Sequence, residues 1–433
     1  MPATNLLDAF NNFYYQEPPL FQAKAPVGRN REFWVDRQGN PFQDLKGQIL
    51  GSTHPTKFLF AGHRGSGKST ELNRLMAEKE IDRRFLLVHF SAKDTLDLAD
   101  ATYTDLLVAT ASTIIVRAAD SRLAFGQSLA KRIEGWQGRI TERLKQDDES
   151  WGAAAELGLK AFFGRFLLRL KRESRTRTVV RQVVEAQVSE LLQMLVDLVT
   201  EVNIGLAGKS RELLVIVEDL AKIVEFPKAQ ELFQRSGPYF SELPFKAVFT
   251  VPLALHYHPV LNEIVGAFGT SFFLPNVRLW EQDDAERSLR DKDQNPGFQT
   301  LKKFVEKRMA LSLVEDDALE EAIRMSGGLM RELAWIVHDA CNKARVRGLE
   351  RISLDVVLAT VAHLRDQYER QLGDERWEVL ERVWETRTQG GSELSLQLLH
   401  SRHILEFRNA QRWCDVHPVL LSALGRWRRL RKS

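Results

Sequence analysis

The chain has 433 residues, 44% hydrophobic and 27% charged, with 61 Lys and Arg against 58 Asp and Glu for a net charge of +3. This composition excludes a mostly disordered chain, and the length suits two to four domains at roughly 100–200 residues each. Two cysteines, Cys341 and Cys414, exclude a disulfide scaffold, and a charge of +3 does not by itself mark a nucleic-acid binder.

Residues 1–55 read as an N-terminal arm with helices. Its Tyr14-Tyr15 and Pro18-Pro19 pairs suggest a segment that packs on a neighbouring subunit. No basic stretch is followed by an apolar run of the signal-peptide kind, and no stretch approaches the ~20 apolar residues of a bilayer span. The expected location is the cytoplasm.

Residues 56–280 read as an α/β core. Phe58 to Ala61 is a short apolar run typical of a buried parallel strand. Gly62-His63-Arg64-Gly65-Ser66-Gly67-Lys68-Ser69-Thr70 follows and fits G-x-x-x-x-G-K-[ST] at every fixed position. Leu72, Leu75 and Met76 then fall at helical spacing, so the motif lies between a strand and a helix. Glycines let the chain wrap around phosphate oxygens, and the helix start aims its unpaired N–H groups at them. In this reading Lys68 bridges the β- and γ-phosphates of ATP and the Ser69 hydroxyl coordinates Mg²⁺.

Arg84 to Phe90 predicts a second strand. From about 102 to 203 no strand pattern and no proline occur, which predicts a helical insertion larger than an ordinary crossover. Within it, residues 165–181 hold seven basic side chains against Glu173 alone. This run reads either as a solvated helix face or as a contact for DNA or an anionic membrane surface.

Glu212 to Leu220 predicts a third strand of five apolar residues ending in Glu218-Asp219. It resembles a Walker B strand, whose usual order is Asp and then a second acid. Glu218 is the candidate for the metal and Asp219 for orienting water. The inverted order leaves two readings: shifted roles, or slow hydrolysis in a nucleotide switch. Phe245 to Val251 and Ser271 to Leu274 complete a doubly wound parallel sheet. Thr250, at the end of its strand, is a candidate polar residue near the γ-phosphate. His256 and His258 have no third ligand at useful spacing, so no metal site is read there.

Residues 281–372 read as a helical lid. Ser326-Gly327-Gly328-Leu329-Met330-Arg331-Glu332-Leu333 precedes an amphipathic helix. With GHRGSGKST and LLVIVED, this segment resembles the AAA+/STAND group of P-loop ATPases, similar to origin-recognition-type members. That resemblance implies that Arg331 is the lid arginine that reaches over the nucleotide. It leaves the arginine finger unplaced, with Arg278 and Arg308 as the two possibilities.

Residues 373–433 are expected to form two helices, a hairpin from His403 to Cys414 with a turn at 408–411, and a last helix. That is the winged-helix order. Arg426, Arg428, Arg429, Arg431 and Lys432 form a basic tail interleaved with Trp427. The resemblance implies an ATPase switch, dependent on ATP and Mg²⁺, built on Lys68, Glu218, Asp219 and Arg331. Its nucleotide state would control self-association and the engagement of a partner protein or DNA, in defence signalling or in DNA loading of the origin-recognition type. DNA would lie on residues 165–181 or on the winged helix and tail. The alternative is a scaffold that binds ATP without hydrolysing it.

Overall fold

The computed structural model describes residues 2–21, 31–145, 150–151, 158–209, 211–223, 225–284, 287, 289, 291–370, 372–409 and 411–432. Residues 22–30 of the arm, Ala410 of the hairpin turn and the Lys432 side chain of the tail lie outside this description. A sheet of five strands carries the core: β1 (Lys57–Gly62), β2 (Phe85–Ser91), β3 (Glu212–Glu218), β4 (Lys246–Pro252) and β5 (Ser271–Phe273). Their order is β2-β3-β4-β1-β5, and every pair is parallel.

Residue alternation sends apolar side chains to both faces. Phe58, Phe60, Leu214, Ile216 and Val248 join one cluster with helices Phe42–Gly51 and Lys68–Ala77. Leu59, Ala61, Leu213, Val215, Val217 and Phe249 join the cluster on the opposite face. The sheet is therefore a doubly wound α/β layer, with β1 between β4 and β5, so the loop after β1 opens near its middle.

The path from β2 to β3 runs through helices Tyr103–Asp120, Gln127–Lys145, Leu159–Arg172, Ser174–Glu185 and Val188–Ala207. A capping box starts the first of them, with Thr102 and Asp105 satisfying each other's backbone N–H. Trp136, Phe162, Phe163 and Phe166 form an aromatic core with Trp151.

Beyond β5 come helices Pro296–Glu306, Asp316–Met325, Met330–Val346 and Leu354–Glu369. The N-terminal arm packs on this part of its own chain. Helix Leu6–Asn12 lies on helix Met330–Val346, with Phe10 stacked on His338 at 3.9 Å between ring centroids. Ala3 N–H donates to Arg308 O at 3.0 Å.

The C-terminal module comprises helices Asp374–Thr386 and Glu393–His400, the antiparallel hairpin β6 (Ile404–Arg408) and β7 (Arg412–Val416), and helix Leu421–Lys432. The hairpin is buried, not extended into solvent. Asp415 is fully buried and pairs with Arg287 at 2.8 Å and with Arg387. Asn276, just after β5, donates to Glu406 O at 3.1 Å.

Both basic runs are largely paired within the chain. Arg177 meets Asp97 at 3.0 Å and Asp100 at 3.1 Å, and Arg181 meets Asp105 at 2.6 Å. Arg165 donates to Ser150 at 2.6 Å. In the tail, Arg426 pairs with Glu369, Arg428 with Glu381 and Glu385, and Arg431 with Glu378. Most side chains of the two runs, for which DNA contact is one of the readings, thus face carboxylates of the same molecule. Arg172 and Arg429 are exposed.

Candidate nucleotide site

The loop after β1 and the first turn of helix Lys68–Ala77 form the floor of a cleft at the carboxyl ends of the strands. Gly65, Gly67, Lys68, Ser69 and Thr70 line it, with Asp219 and Thr250 from the ends of β3 and β4. The opposite wall comes from Arg331 and Ala334 of helix Met330–Val346 and from Arg308. The arm closes one side with Tyr14, Tyr15, Trp34 and Arg37.

Two glycines show why the sequence must be this one. Gly65 has φ +93°, and a Cβ there would lie 3.0 Å from the Arg331 Cβ. The bare glycine lets helix Met330–Val346 settle on the loop, and Arg331 N–H donates to Gly65 O at 3.3 Å. Gly328 has φ +80°, and a Cβ there would fall 1.8 Å from Val277 O. The Ser-Gly-Gly segment therefore docks the start of helix Met330–Val346 on the extended chain after β5.

The cleft is rich in cations. Lys68 Nζ folds back onto Gly62 O at 2.7 Å and His63 O at 3.0 Å. Burial pushes its ammonium down to about 7, against the opposing pull of Asp219. Burial likewise lowers Arg37 to about 10 and Arg308 to about 9. Arg64 and Arg331 are lowered by burial first and then by neighbouring guanidinium groups. So many desolvated cations around one opening make a site for a polyanion, whose charge restores what water no longer supplies.

The two acids after β3 part company. Asp219 adopts a left-handed conformation with φ +67°, uncommon for a non-glycine residue. Ser91 Oγ donates to its carboxylate at 2.8 Å and Lys222 pairs with it at 2.6 Å, which holds it in the cleft. Glu218 instead meets His89 Nε2 at 3.0 Å and is absent from the lining. Glu218, expected at the metal, thus stands outside the lining, and the backbone turn at Asp219 brings the second acid into the cleft.

Other residues read from the motif are placed differently from a direct ligand. His63 is buried, and its Nε2 accepts the Glu406 N–H at 2.8 Å. Burial, then Lys68, Arg402, His417 and His400, hold its ring well below the ordinary histidine range, so it is neutral and able to accept. Gly62 and Ser66 lie beneath the surface of the loop and do not line the cleft. Arg278 pairs with Glu281 outside the cleft. Arg308 is buried and lines the cleft of its own chain, donating to Phe304 O at 2.9 Å and Phe33 O at 3.0 Å. His256 bonds Ser271 at 2.9 Å, and His258 accepts Val260 N–H at 3.2 Å.

Arg37 was not legible from the sequence. It donates to Ser66 O at 2.5 Å and Pro275 O at 3.2 Å, and so ties the arm to the phosphate loop. Trp34 is a second such residue, donating to Glu71 at 2.9 Å. Neither lies in a periodic segment or a spaced motif, and only the tertiary fold brings them to the loop.

Among the described residues no helix is long and apolar enough to cross a membrane. No group of three or more His, Cys, Asp or Glu side chains among them is placed to hold a metal ion alone. No protein-family model matches the chain, and no curated protein matches it. Solved structures similar to it include the Orc1 protein of Aeropyrum pernix in complex with DNA, at 13% identity over 90% of this chain and 93% of that one, TM-score 0.41. A Walker-type ATPase of Pyrococcus abyssi is similar at 12% identity over 91% of this chain and 99% of that one, TM-score 0.43. Cdc6p of Pyrobaculum aerophilum is similar at 12% identity over 91% and 96% of the two chains, TM-score 0.39.

Proposed function

We propose that the protein is an ATP-binding P-loop switch, in which Mg-ATP occupies the cleft between the core and the helical lid. The observation that carries this reading is the phosphate loop itself, set between β1 and its helix and covered by Arg331 from the lid. Lys68, released from the carbonyls of Gly62 and His63, contacts the β- and γ-phosphates. Arg331, Arg64 and Arg37 surround the phosphate chain, and a planar, permanently charged guanidinium suits that role.

The residues present fit Mg²⁺, which takes hard oxygen ligands and leaves most positions to water and phosphate. Ser69 and Asp219 would hold it, the latter already fixed by Ser91 and Lys222. When bound, the ion neutralises charge that develops on the phosphate oxygens. Thr250 lines the same cleft, its hydroxyl donating to Val217 O at 3.5 Å.

Hydrolysis is slow in this reading, because Glu218 is engaged with His89 and no other acid beside Asp219 faces the phosphates among the described cleft residues near β3. The same contact favours the second reading, an ATP-binding scaffold with no turnover. In both, nucleotide state passes to the C-terminal winged-helix-like module, whose strand β6 is bonded to His63 of the phosphate loop. Calorimetric titration with Mg-ATP, alongside release of inorganic phosphate, tests the proposal. Wild-type binding that is lost in Lys68→Ala supports it, and equal affinity in both proteins refutes it. Turnover abolished by Asp219→Ala selects the switch, and no turnover in wild type selects the scaffold.

A further inference from the structure

We propose that Glu332 is a positioning residue for Arg331, held in place by Arg402 of the C-terminal module. This inference rests on the nucleotide reading of the cleft and deepens it. Arg331 and Glu332 are consecutive in the first turn of helix Met330–Val346, so their side chains leave the axis about 100° apart. Arg331 lies on the phosphate loop, where its amide reaches Gly65 O at 3.3 Å. Glu332 turns away into a buried polar group and is only 4% exposed.

Three elements meet at its carboxylate. Tyr368, near the end of helix Leu354–Glu369, donates its hydroxyl to Glu332 Oε1 at 2.9 Å. Arg402, in the left-handed turn before β6 with φ +69°, pairs with the same oxygen. The Tyr368 ring is stacked against His417 at 5.0 Å, and its carbonyl meets His403 Nε2 at 3.1 Å. Burial pushes the Glu332 carboxyl up, yet the Arg402 charge, with His417, Tyr368 and Arg331, outweighs it and holds the group below the usual glutamate range. A buried carboxylate without its cation is strongly destabilising, so Arg402 and Glu332 remain paired.

The peptide at 331–332 is thus pinned on one side to the phosphate loop and on the other to the C-terminal module. Undocking the module frees Glu332, and with it the first turn of the helix that presents Arg331. The module takes part in nucleotide binding without touching the nucleotide.

The test is a double-mutant cycle on the full chain, read by ATP titration. Arg402→Gln and Arg331→Ala are each expected to weaken ATP by about tenfold, the scale of one charge-assisted hydrogen bond. If Arg402 acts through Arg331, the double variant is no weaker than Arg331→Ala alone, whereas independent sites give additive losses. Arg402→Lys restores most of the affinity, and additive losses overturn the proposal. Tyr368→Phe removes one hydroxyl only, with a loss of about threefold expected, and keeps the test open should Arg402→Gln fail to fold. Hydrogen exchange of the nucleotide-free proteins separates this proposal from the nucleotide reading. Exchange at the Arg331 amide should be faster in Arg402→Gln and restored in Arg402→Lys, and an unchanged rate overturns the positioning role. A wild-type chain that binds no ATP refutes the nucleotide reading alone.

Discussion

Two populations of arginine and lysine divide this molecule. Those of the runs 165–181 and 426–432 are dense in sequence, yet most face Asp and Glu side chains of the same chain, as Arg181 faces Asp105 and Arg431 faces Glu378. Those of the cleft are scattered from Arg37 to Arg331, yet they converge on one opening with few facing acids. Density along the chain therefore says little about free positive charge. What matters is whether the fold has already supplied the counter-ion. Exposed pairs such as Arg431 with Glu378 contribute about 0–1 kcal/mol each. An unpaired, desolvated cation in a cleft instead selects an anion.

The largest expected effect lies in the inward population. Lys68→Ala should weaken ATP by about a hundredfold, since the loss removes a charge-assisted contact from a dry site. Titration calorimetry checks it, with Arg428→Gln as the outward control, whose affinity should match wild type. Next comes the contrast between the neighbouring acids. Asp219→Asn should lower phosphate release by about a hundredfold while ADP binding without magnesium is retained, because this carboxylate is the one proposed to hold the metal. Glu218→Gln should change turnover by less than about threefold, since its carboxylate faces His89 and not the cleft. A larger loss in Glu218→Gln than in Asp219→Asn would restore the usual Walker B assignment.

A smaller effect follows from Lys68 itself. Its pKa is pushed down to about 7 in the open cleft. A bound polyphosphate raises it, so above about pH 7 binding takes up a proton that the free protein has lost. ATP affinity should therefore fall with rising pH above 7, by up to about tenfold per unit, and level off below it. Lys68→Arg, always charged, should flatten that slope. Titrations in buffers of different ionisation enthalpy count the proton directly.

Much of the site was legible because it rests on fixed local spacing. The loop from Gly62 to Thr70 needs only a strand before it and a helix after it, and β1 and helix Lys68–Ala77 stand where the apolar pattern places them. The strands of the sheet are short apolar runs and were legible for the same reason. The direction of an acid was not, because one positive φ at Asp219 decides which of two neighbours enters the cleft. Nor were Arg37 and Trp34, which reach the loop from a segment without periodicity. The least legible contact joins His63 to Glu406 across 343 positions of sequence. A strand-turn-strand pattern predicts a hairpin but not the surface that buries it, and here His63 of the loop after β1 is part of that surface.

The outward population yields the smallest effect and the sharpest test of the division. DNA binding driven by phosphate contacts weakens with salt in proportion to the number of cations that replace counter-ions. Arg426, Arg428 and Arg431 already have carboxylate partners, so each would have to break an ion pair before meeting a phosphate. Arg429, exposed on the same helix, is under no such constraint. A tail of this kind offers one or two effective contacts, which corresponds to a log–log salt slope shallower than about −2. Titration of a short duplex by fluorescence anisotropy at several salt concentrations measures that slope. Arg428→Gln should leave it unchanged and Arg429→Gln should reduce it. A slope of about −6 or steeper, lowered by Arg428→Gln, would mean that the pairs open on DNA and that outward charge is free after all.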